Sequence, residues 1–416
     1  MNKVIYIPIE VKLREFQSKL FFISRAIRRG YDCVIGDKIA ISRAINFLGP
    51  GCYFYKSMNF YDGEHIKSVK NKNNIYIVQD EEAGYALNDN LTMQQFIKMR
   101  SSDENVNLID KFYTWGKFDH NNWVKAFSNS KNKFFMSGSP RIDLWKDAQV
   151  KKVFQNEIRN IKKFKNYVLI ASSGISSTKE LKKQERVDKF VRKNLNENSA
   201  EKKNRTKWQL DIFKEMILLT NHLAKKFPDV NFIFRNHPSD SNDKLNKYFN
   251  SASKNIIVNN DYDVTPWIHS SSCVIHACST IGIQTSVMKK NLISFNPKVV
   301  RLSHRRFPNK FGILARTIKD TETKLKKILL KKIKKKTTKI INERFEIKKE
   351  LSSELILNNI NRLKIPHSKK KYKNIFKIKI YFIFFYLKDF VFKFLGKIKR
   401  LLIIKKNIRQ INYSKT

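Results

Sequence analysis

The stretch that decides the fold is VIYIPIEVKLREFQSKLFFISRAIRRGYDCVIG, residues 4–36. It opens with an apolar run at Val4–Pro8 and continues with apolar residues at helical spacing between Leu13 and Arg29. Gly30 is suited to end that helix, and a second apolar run follows at Tyr31–Gly36. Two strands joined by a helical crossover pair in parallel. The pattern predicts an α/β protein whose parallel sheet is covered by helices on both faces.

The same alternation continues along the chain. After these two strands, the first series has four more predicted strands, at Cys52–Tyr55, Ile75–Val78, Phe112–Trp115 and Phe134–Met136. A charged bridge leads to a second series, at Tyr167–Ala171, Asn231–Arg235, Ile256–Val258, Cys273–His276 and Leu292–Phe295. We therefore predict two Rossmann-like, doubly wound domains, residues 1–150 and 151–330, followed by a Lys-rich helical tail, residues 331–416.

Composition narrows the class of protein. The 416 residues include 84 Lys and Arg against 36 Asp and Glu, a formal net charge of +48. With 41% hydrophobic residues the chain has enough apolar material for packed cores, which excludes a wholly disordered protein. Its four Cys form no CxxC pair, which disfavours a disulfide scaffold or a zinc ribbon. The charge predicts an anionic neighbour: nucleic acid, anionic lipid or a phosphorylated substrate.

The sequence predicts a cytoplasmic protein with a membrane-associated tail. The apolar run at the N-terminus is too short for a signal peptide, and the eight uncharged residues Ile380–Leu387 are too few to cross a bilayer. Residues 375–406 mix Phe, Ile and Leu with Lys, which is typical of a helix lying in an anionic membrane interface. The alternative is a helix packed back on the first domain. No nucleic-acid-binding module is recognisable, so we expect no nucleic-acid partner.

The first candidate site is NFIFRNHPSD, residues 231–240. Arg235, His237, Pro238 and Ser239 follow the carboxyl end of a predicted strand, where doubly wound sheets bind ligands. Arg and His together suit a phosphate or diphosphate group. The alternative is a His satisfied within a turn beside an exposed Arg.

The second candidate follows the predicted strand ending at His276. Ser279, Thr280 and Gly282 open a helix there, and hydroxyls beside free backbone N–H groups suit an anion. A plain helix cap is the alternative for Ser279 or Thr280.

The third candidate is an acidic cluster. Asp80, Glu81 and Glu82 come directly after the predicted strand Ile75–Val78. Like charges crowded at one strand end tend to raise a pKa, which suits a general base. A solvated loop that caps a helix is the alternative.

Two further sets of charged residues follow predicted strands of the first domain. Glu10 and Arg14 come after the first strand, at a spacing that also fits a structural ion pair on a helix. Arg141 and Asp143 follow the last strand, where they line the cleft or close the domain.

Several motifs are missing from the sequence. It has no Gly-x-Gly-x-x-Gly after the first strand, no Walker-type loop and no Gly-x-Ser-x-Gly, so we expect no dinucleotide cofactor. The single Asp-x-Asp, Asp261 to Asp263, is explained more simply as a helix cap than as a metal site, and we expect no metal.

The motifs together resemble the bacterial surface carbohydrate biosynthesis protein family. The resemblance covers residues 1–300 and rests on six motifs in order: PIEVKLRE, DEEAG, TWGKFDH, SGSPRID, RNHPSD and STIGIQTSVMKKNLISFNP. More distantly, the acids and the His-Pro pair are similar to CMP-sugar-dependent sialyl and Kdo transferases, and the His-Pro and Ser-Thr pairs to CDP-glycerol glycerophosphotransferases.

The resemblance implies a metal-independent GT-B glycosyltransferase of capsule or lipopolysaccharide synthesis, with two facing Rossmann-like domains. It implies that His237 binds the phosphate of a nucleotide-sugar donor, CMP-linked by preference, with support from Ser279 and Thr280. One acid among residues 80–82 then deprotonates a glycan or lipid-linked acceptor. In the CMP-sugar enzymes Gly directly follows the acids, whereas here Ala83 intervenes. The alternatives are a CDP-polyol phosphotransferase and a nucleotide-sugar epimerase or hydrolase.

Overall fold

The computed structural model describes residues 3–10, 12–81, 90–172, 199–235, 245–249, 253–298, 307–331, 340–347 and 349–367. They contain two six-stranded sheets. Every pair of neighbouring strands in both sheets is parallel, as the alternation of strands and helices predicts.

The first sheet has the strand order β2-β1-β3-β4-β5-β6. Its strands are β1 Lys3–Pro8, β2 Tyr31–Gly36, β3 Cys52–Tyr55, β4 Ile75–Gln79, β5 Lys111–Thr114 and β6 Phe134–Met136. The helices between them are α1 Lys12–Arg28, α2 Lys38–Leu48, α3 Gly63–Lys70, α4 Asn90–Arg100, α5 Asp103–Leu108 and α6 Lys117–Ala126. The order reverses between β1 and β3, which opens a crevice at their carboxyl ends.

Short helices connect the two sheets. They are α7 Pro140–Asp143, α8 Asp147–Val153 and α9 Gln155–Ile161. Single 3-10 turns lie at Phe60–Asp62, Ser128–Lys133, Lys162–Phe164, Asn246–Tyr248 and Phe307–Lys310.

The second sheet has the order β12-β11-β10-β7-β8-β9. Its strands are β7 Tyr167–Ala171, β8 Asn231–Arg235, β9 Ile256–Val258, β10 Cys273–His276, β11 Leu292–Phe295 and β12 Ile313–Ala315. Its helices are α10 Ser199–Lys226, α11 Val264–Ser270, α12 Ile281–Val287 and α13 Ile318–Leu329. The order reverses between β7 and β10, so the second crevice lies where these two strands end.

Both sheets are buried on their two faces, which explains why their strands are continuous apolar runs. In the second sheet Val168 and Ile170 point into one core, while Tyr167 and Leu169 point into another. The latter core also holds Trp115 of the first domain and Phe345, so it extends across the junction between the two sheets.

The chain returns to the first domain after the second sheet. The sequence predicts a basic tail from residue 331, but helices α14 Ile340–Arg344 and α15 Ser352–Asn361 lie within that segment. Ile356, Leu357 and Ile360 of α15 are fully buried in the core that contains Ile5 and Ile7 of β1. The apolar face of α15 therefore completes the cover of the first sheet.

Two glycines and one acid of the first domain hold this returning segment. A Cβ on Gly116 would lie 2.4 Å from the carbonyl oxygen of Arg344, and one on Gly138 would lie 2.4 Å from Ser352 Oγ. The Asp143 carboxylate accepts hydrogen bonds from Ser352 N at 2.8 Å and from Ser353 N at 2.9 Å. Asp143 therefore closes the domain by satisfying the first turn of α15.

The predicted strands are all present, and β12 is an additional one. The proposed membrane segment, residues 375–406, lies outside the described residues. Within the part of the chain that the structure describes, no helix has the length and apolar character needed to cross a bilayer.

Candidate active site

Glu81 lies at the carboxyl end of β4 among buried charges. Its carboxylate is 2% exposed and contacts two cations, Lys19 Nζ at 3.1 Å and Arg141 Nη1 at 3.5 Å. The Lys19 side chain is itself only 1% exposed, and its ammonium lies 4.5 Å from the centre of the Phe54 ring. Burying such charges costs free energy even when they are paired. A cluster of this kind at the ligand-binding edge of a sheet is therefore a candidate functional site.

Lys56 connects the ends of three neighbouring strands. Its carbonyl oxygen, just after β3, accepts a hydrogen bond from Glu81 N at 3.0 Å. Its ammonium pairs with the Glu10 carboxylate beyond β1. Lys56 thus brings Glu10 and Glu81 to the same edge of the first sheet. The ion-pair partner of Glu10 is Lys56.

Glu15 is a member of this site that the sequence analysis did not select. It is fully buried, and its Oε2 accepts a hydrogen bond from Glu10 N at 3.1 Å. Glu15 and Lys19 are four residues apart on α1, which places them on the same side of that helix. No local signal marks them in the sequence, since charged residues on an amphipathic helix normally face water.

Asp80 is held in a different interaction from that of Glu81. Both its oxygens accept from Arg100, Oδ2 from Nη1 at 2.8 Å and Oδ1 from Nη2 at 3.1 Å. Arg100 Nε also donates to Asn59 Oδ1 at 3.0 Å. This two-pronged geometry is the strongest form of Arg–carboxylate pair. It gives Asp80 a structural role, that of joining α4 to the ends of β3 and β4.

Trp115 and Asp119 form the next layer of the site. Trp115 Nε1 donates to the Asp80 carbonyl at 2.8 Å, and Trp115 N donates to Asp119 Oδ2 at 2.8 Å. Burial, assisted by the nearby Asp80 carboxylate, raises the pKa of Asp119 to about 8, although the hydrogen bond from Trp115 N opposes this shift. Asp119 is therefore a neutral acid at pH 7, a property that the sequence analysis missed.

Arg141 is placed by aromatic rings as well as by Glu81. Its guanidinium carbon lies 5.7 Å from the ring centre of Trp115 and 6.0 Å from that of Trp145. Its backbone is fixed by Ser139, whose hydroxyl caps the first turn of α7. Arg141 thus reaches the acidic cluster from the end of β6.

Arg235 ends β8 and contacts a neighbouring turn. Its Nη1 donates to the Asp261 carbonyl at 2.9 Å, and its Nη2 donates to the Tyr262 carbonyl. Burial lowers the pKa of Arg235 to about 10, so it remains a cation at neutral pH. Asp263 caps α11, accepting from Thr265 N at 2.7 Å, as the sequence predicts.

A row of four register partners, three of them polar, crosses the carboxyl edge of the second sheet. Arg235, Ala171, His276 and Ser294 are register partners on four adjacent strands. His276 Nε2 lies 2.9 Å from Ser294 Oγ, which donates its own proton to the Phe311 carbonyl. Nε2 therefore carries the imidazole proton. Burial lowers the pKa of His276 to about 3, so the ring is neutral. The sequence predicts His276 only as the end of a strand.

The loop after β10 is held in a strained shape. Cys278 has φ 56°, in the left-handed region that non-glycine residues rarely adopt. Asn309 Oδ1 accepts from Cys278 N at 2.8 Å and fixes this turn. Ser279 is buried, and its hydroxyl accepts from Ile281 N at 3.3 Å, so it caps α12. Thr280 makes no side-chain capping bond and is partly exposed. Strain of this kind is typical of ligand-binding loops.

The His276 ring leaves no room for a side chain at position 282, so this position is occupied by glycine. A Cβ at position 282 would lie 2.2 Å from His276 Nε2 and 2.3 Å from its Cε1. We expect Gly282→Ala to lower the free energy of unfolding by about 1–3 kcal/mol, because overpacking displaces α12 or the ring. Thermal denaturation measures this loss. The double variant with His276→Ala removes the clash and should recover part of the loss. A single variant with the melting temperature of the wild type would contradict the steric role.

The remaining predicted site residues lie outside the described part of the chain. These are Glu82, His237, Pro238, Ser239 and the side chain of Arg14. Among the described residues, no group of three or more His, Cys, Asp or Glu side chains is placed to hold a metal ion.

Comparison with solved structures relates this geometry to known proteins. The chain superposes on the wall teichoic acid polymerase TagF with a TM-score of 0.54 at 12% identity, covering 87% of this chain and 89% of that one. It superposes on UDP-GlcNAc 2-epimerase from Neisseria meningitidis with a TM-score of 0.52 at 10% identity, covering 87% and 100%. For S. aureus MnaA the TM-score is 0.51 at 11% identity, covering 87% and 96%.

The protein has a GT-B-type fold. Two parallel sheets with this arrangement and neighbours of this kind agree with the resemblance to bacterial surface carbohydrate proteins and to CDP-glycerol transferases at the level of fold. No family model and no curated protein matches the sequence. In a GT-B protein the crevices at β1/β3 and at β7/β10 are the places where ligands are expected.

Proposed function

We propose that the protein is a GT-B transferase of surface-glycan synthesis that moves a sugar from a nucleotide-activated donor, CMP-linked by preference, to a growing glycan. The observation that carries the proposal is the buried Glu81 between Lys19 and Arg141 at the carboxyl edge of the first sheet. Such a cluster costs folding free energy, and a reaction that needs a positioned base and a positioned cation explains why it is present.

In this proposal Glu81 is the base and Arg141 faces the acceptor. Asp80 is less suited to be the base because both its oxygens are bound by Arg100. The Glu81–Arg141 contact, at 3.5 Å, is longer than the Glu81–Lys19 contact, at 3.1 Å, so an incoming substrate group can compete for the guanidinium. Once released from Arg141, the carboxylate accepts the proton of the attacking acceptor hydroxyl.

The donor is assigned to the second domain. The strained loop at Cys278–Thr280 and the row ending in Arg235 border the β7/β10 crevice. His237, two residues beyond Arg235, would bind the donor phosphate and stabilise charge on the departing group. Two of the structural neighbours were solved with a bound nucleotide, UDP-GlcNAc in one and UDP in the other, which supports a nucleotide donor.

A nucleotide-sugar epimerase is the second candidate, and similarity to two UDP-GlcNAc 2-epimerases supports it. A CDP-polyol phosphotransferase is the third, supported by similarity to TagF, one of whose structures contains CDPG. Product analysis separates the three. An epimerase converts its nucleotide sugar without an acceptor. Both transferases release CMP only when an acceptor is present, and they differ in the acceptor product, which gains a sugar in one case and a polyol phosphate in the other.

The test is a thermal-shift screen against CMP, CDP, UDP and GDP and their sugars. A ligand at 100 times its Kd should add about 2.7 kcal/mol to the free energy of unfolding. We expect cytidine nucleotides to give the largest shift. The variant His237→Ala should lose that shift and its turnover while keeping the ligand-free melting temperature. A large drop in that temperature, with activity per folded molecule retained, would make His237 a structural residue.

We further propose that residues 375–406 attach the protein peripherally to the inner face of the cell membrane, near a lipid-linked acceptor. Each basic residue close to an anionic surface contributes about 1 kcal/mol. Full-length protein should therefore float with anionic liposomes and be released by high salt. Replacing Lys393, Lys397 and Arg400 by Gln should abolish flotation. These substitutions leave α15 in place, whereas a truncation at residue 330 would remove that helix. Unchanged flotation would contradict the proposal.

A further inference from the structure

Two consecutive aromatic side chains are displayed on the surface of the first domain. Phe60 and Tyr61, the first residues of the 3-10 turn after β3, are each 61% exposed. We name this pair the aromatic platform. Adjacent exposed apolar groups that form a contiguous patch often mark a binding site.

The platform is held rigidly from below by buried polar groups. Asp62 Oδ2 accepts from Ser57 Oγ at 2.9 Å and from Asn59 N at 2.8 Å. Asn105 Nδ2 donates to the Asn59 carbonyl at 2.8 Å and to the Phe60 carbonyl at 3.3 Å. Asp62 and Asn105 are both buried. A backbone fixed in this way keeps both aromatic residues at one place on the surface, which reduces the entropy that the turn loses on binding.

The same turn is joined to the acidic cluster. Arg100 donates to Asn59 and at the same time binds both oxygens of Asp80. On the other side of the turn, the Lys56 carbonyl accepts from Glu81 N. The platform therefore lies at the same edge of the sheet as Glu81, the base of the proposed function.

The charge around the platform is unusual for this protein. Although the chain carries a net charge of +48, exposed acids border this turn. Glu64 and Glu104 have side chains that are 90% and 65% exposed, and Lys67 contacts both. Lys38 pairs with Asp62 of the turn at 3.8 Å. Asp103 is also exposed. Acids and cations therefore come close to balance at this turn, so it has no positive excess to attract an anionic lipid surface or an acidic polymer, whereas an uncharged ligand needs none.

We propose that the aromatic platform binds an uncharged sugar ring of the acceptor glycan. The negative face of an aromatic ring attracts polarised C–H groups, and one face of a pyranose presents several of these. The inference rests on the proposed function for its acceptor role, and it adds the chemical class of that acceptor: an oligosaccharide with a neutral residue at the position that lies over Phe60 and Tyr61.

The test is saturation-transfer NMR on full-length protein with maltohexaose and chitotetraose as neutral probes and tetragalacturonic acid as the anionic comparator. We expect saturation of the ring C–H protons of at least one neutral probe. The double variant Phe60→Ser, Tyr61→Ser should reduce that saturation at least tenfold, and Phe60→Leu, Tyr61→Leu should do the same, because apolar area alone does not replace a flat ring. Leu218→Ser, at an exposed apolar position of the second domain, is the matched control and should change nothing.

Three results would overturn the inference. One is the absence of saturation of both neutral probes by the wild type, and another is unchanged saturation in the Ser variant. The third is loss of liposome flotation in that variant with sugar binding intact, which would make the platform a membrane contact. Failure of the proposed function is separate: no nucleotide would raise the melting temperature, while sugar binding would still depend on Phe60 and Tyr61.

Discussion

Replacing Glu81 by Gln is expected to lower turnover per folded molecule by about 10²–10⁴-fold, the usual loss when a general base is removed. The same change leaves the Lys19 ammonium, 1% exposed, without the carboxylate at 3.1 Å. Breaking a buried pair by removing one partner costs about 3–5 kcal/mol. The single variant should therefore be both slow and unstable, and turnover must be measured together with denaturant unfolding.

A double variant separates these two losses. Lys19→Met with Glu81→Gln removes both members of the pair, so it should regain most of the stability but none of the turnover. Asp80→Asn is the control, because it weakens a bidentate pair with Arg100 and should reduce stability while leaving turnover per folded molecule near normal. Recovery of activity in the double variant would make Glu81 a structural ion-pair partner only.

Asp119→Asn is expected to remove a pH dependence of about 4 kcal/mol in the free energy of unfolding between about pH 5 and pH 8. Burial raises the pKa of Asp119 to about 8 in the folded protein from an ordinary value of 3.8. Between these values the folded state holds a proton that the unfolded state has released. Stability from this group therefore falls as pH rises through the window and is constant above about pH 8.

Urea unfolding of both proteins at about pH 5 and pH 8 measures this effect. Other titrating groups, including His65 and His276 with lowered pKa values, contribute equally to the wild type and the variant. The difference between the two proteins therefore isolates Asp119, and the variant should gain relative to the wild type as pH rises. An equal difference at both pH values would show that Asp119 is an ordinary ionised carboxylate.

The elements that could be predicted from the sequence are those whose signal is local. β2, β3, β7 and β10 have the predicted bounds because each is a run of apolar residues bounded by polar or turn-forming ones. Parallel pairing then places everything that follows a strand at one edge, which is why Glu81 and Arg235 could be selected in advance. β12, three residues long, is too short to give such a signal.

The residues that were missed depend on contacts between distant parts of the chain. Lys19 and Glu15 are charged residues on an amphipathic helix, and such charges normally face water. Their burial follows from how α1 packs beside α7 and the end of β4, which no local pattern reports. Gly116, Gly138 and Asp143 belong to motifs near the site, yet they contact residues 344–353. In the sequence, these three residues follow strand ends just as binding residues do, so their position alone does not reveal that they hold the returning segment.

The return of α15 to the first sheet has a consequence for synthesis on the ribosome. More than two hundred residues separate the end of β6 from the end of α15. At about 5–20 residues per second, roughly 10–45 s pass between the emergence of the first sheet and that of the helix that covers it. During this time Ile5, Ile7 and Phe54 lack part of their native cover. We therefore expect the core of the N-terminal domain to be completed only after α15 has been synthesised, with part of its apolar surface exposed until then.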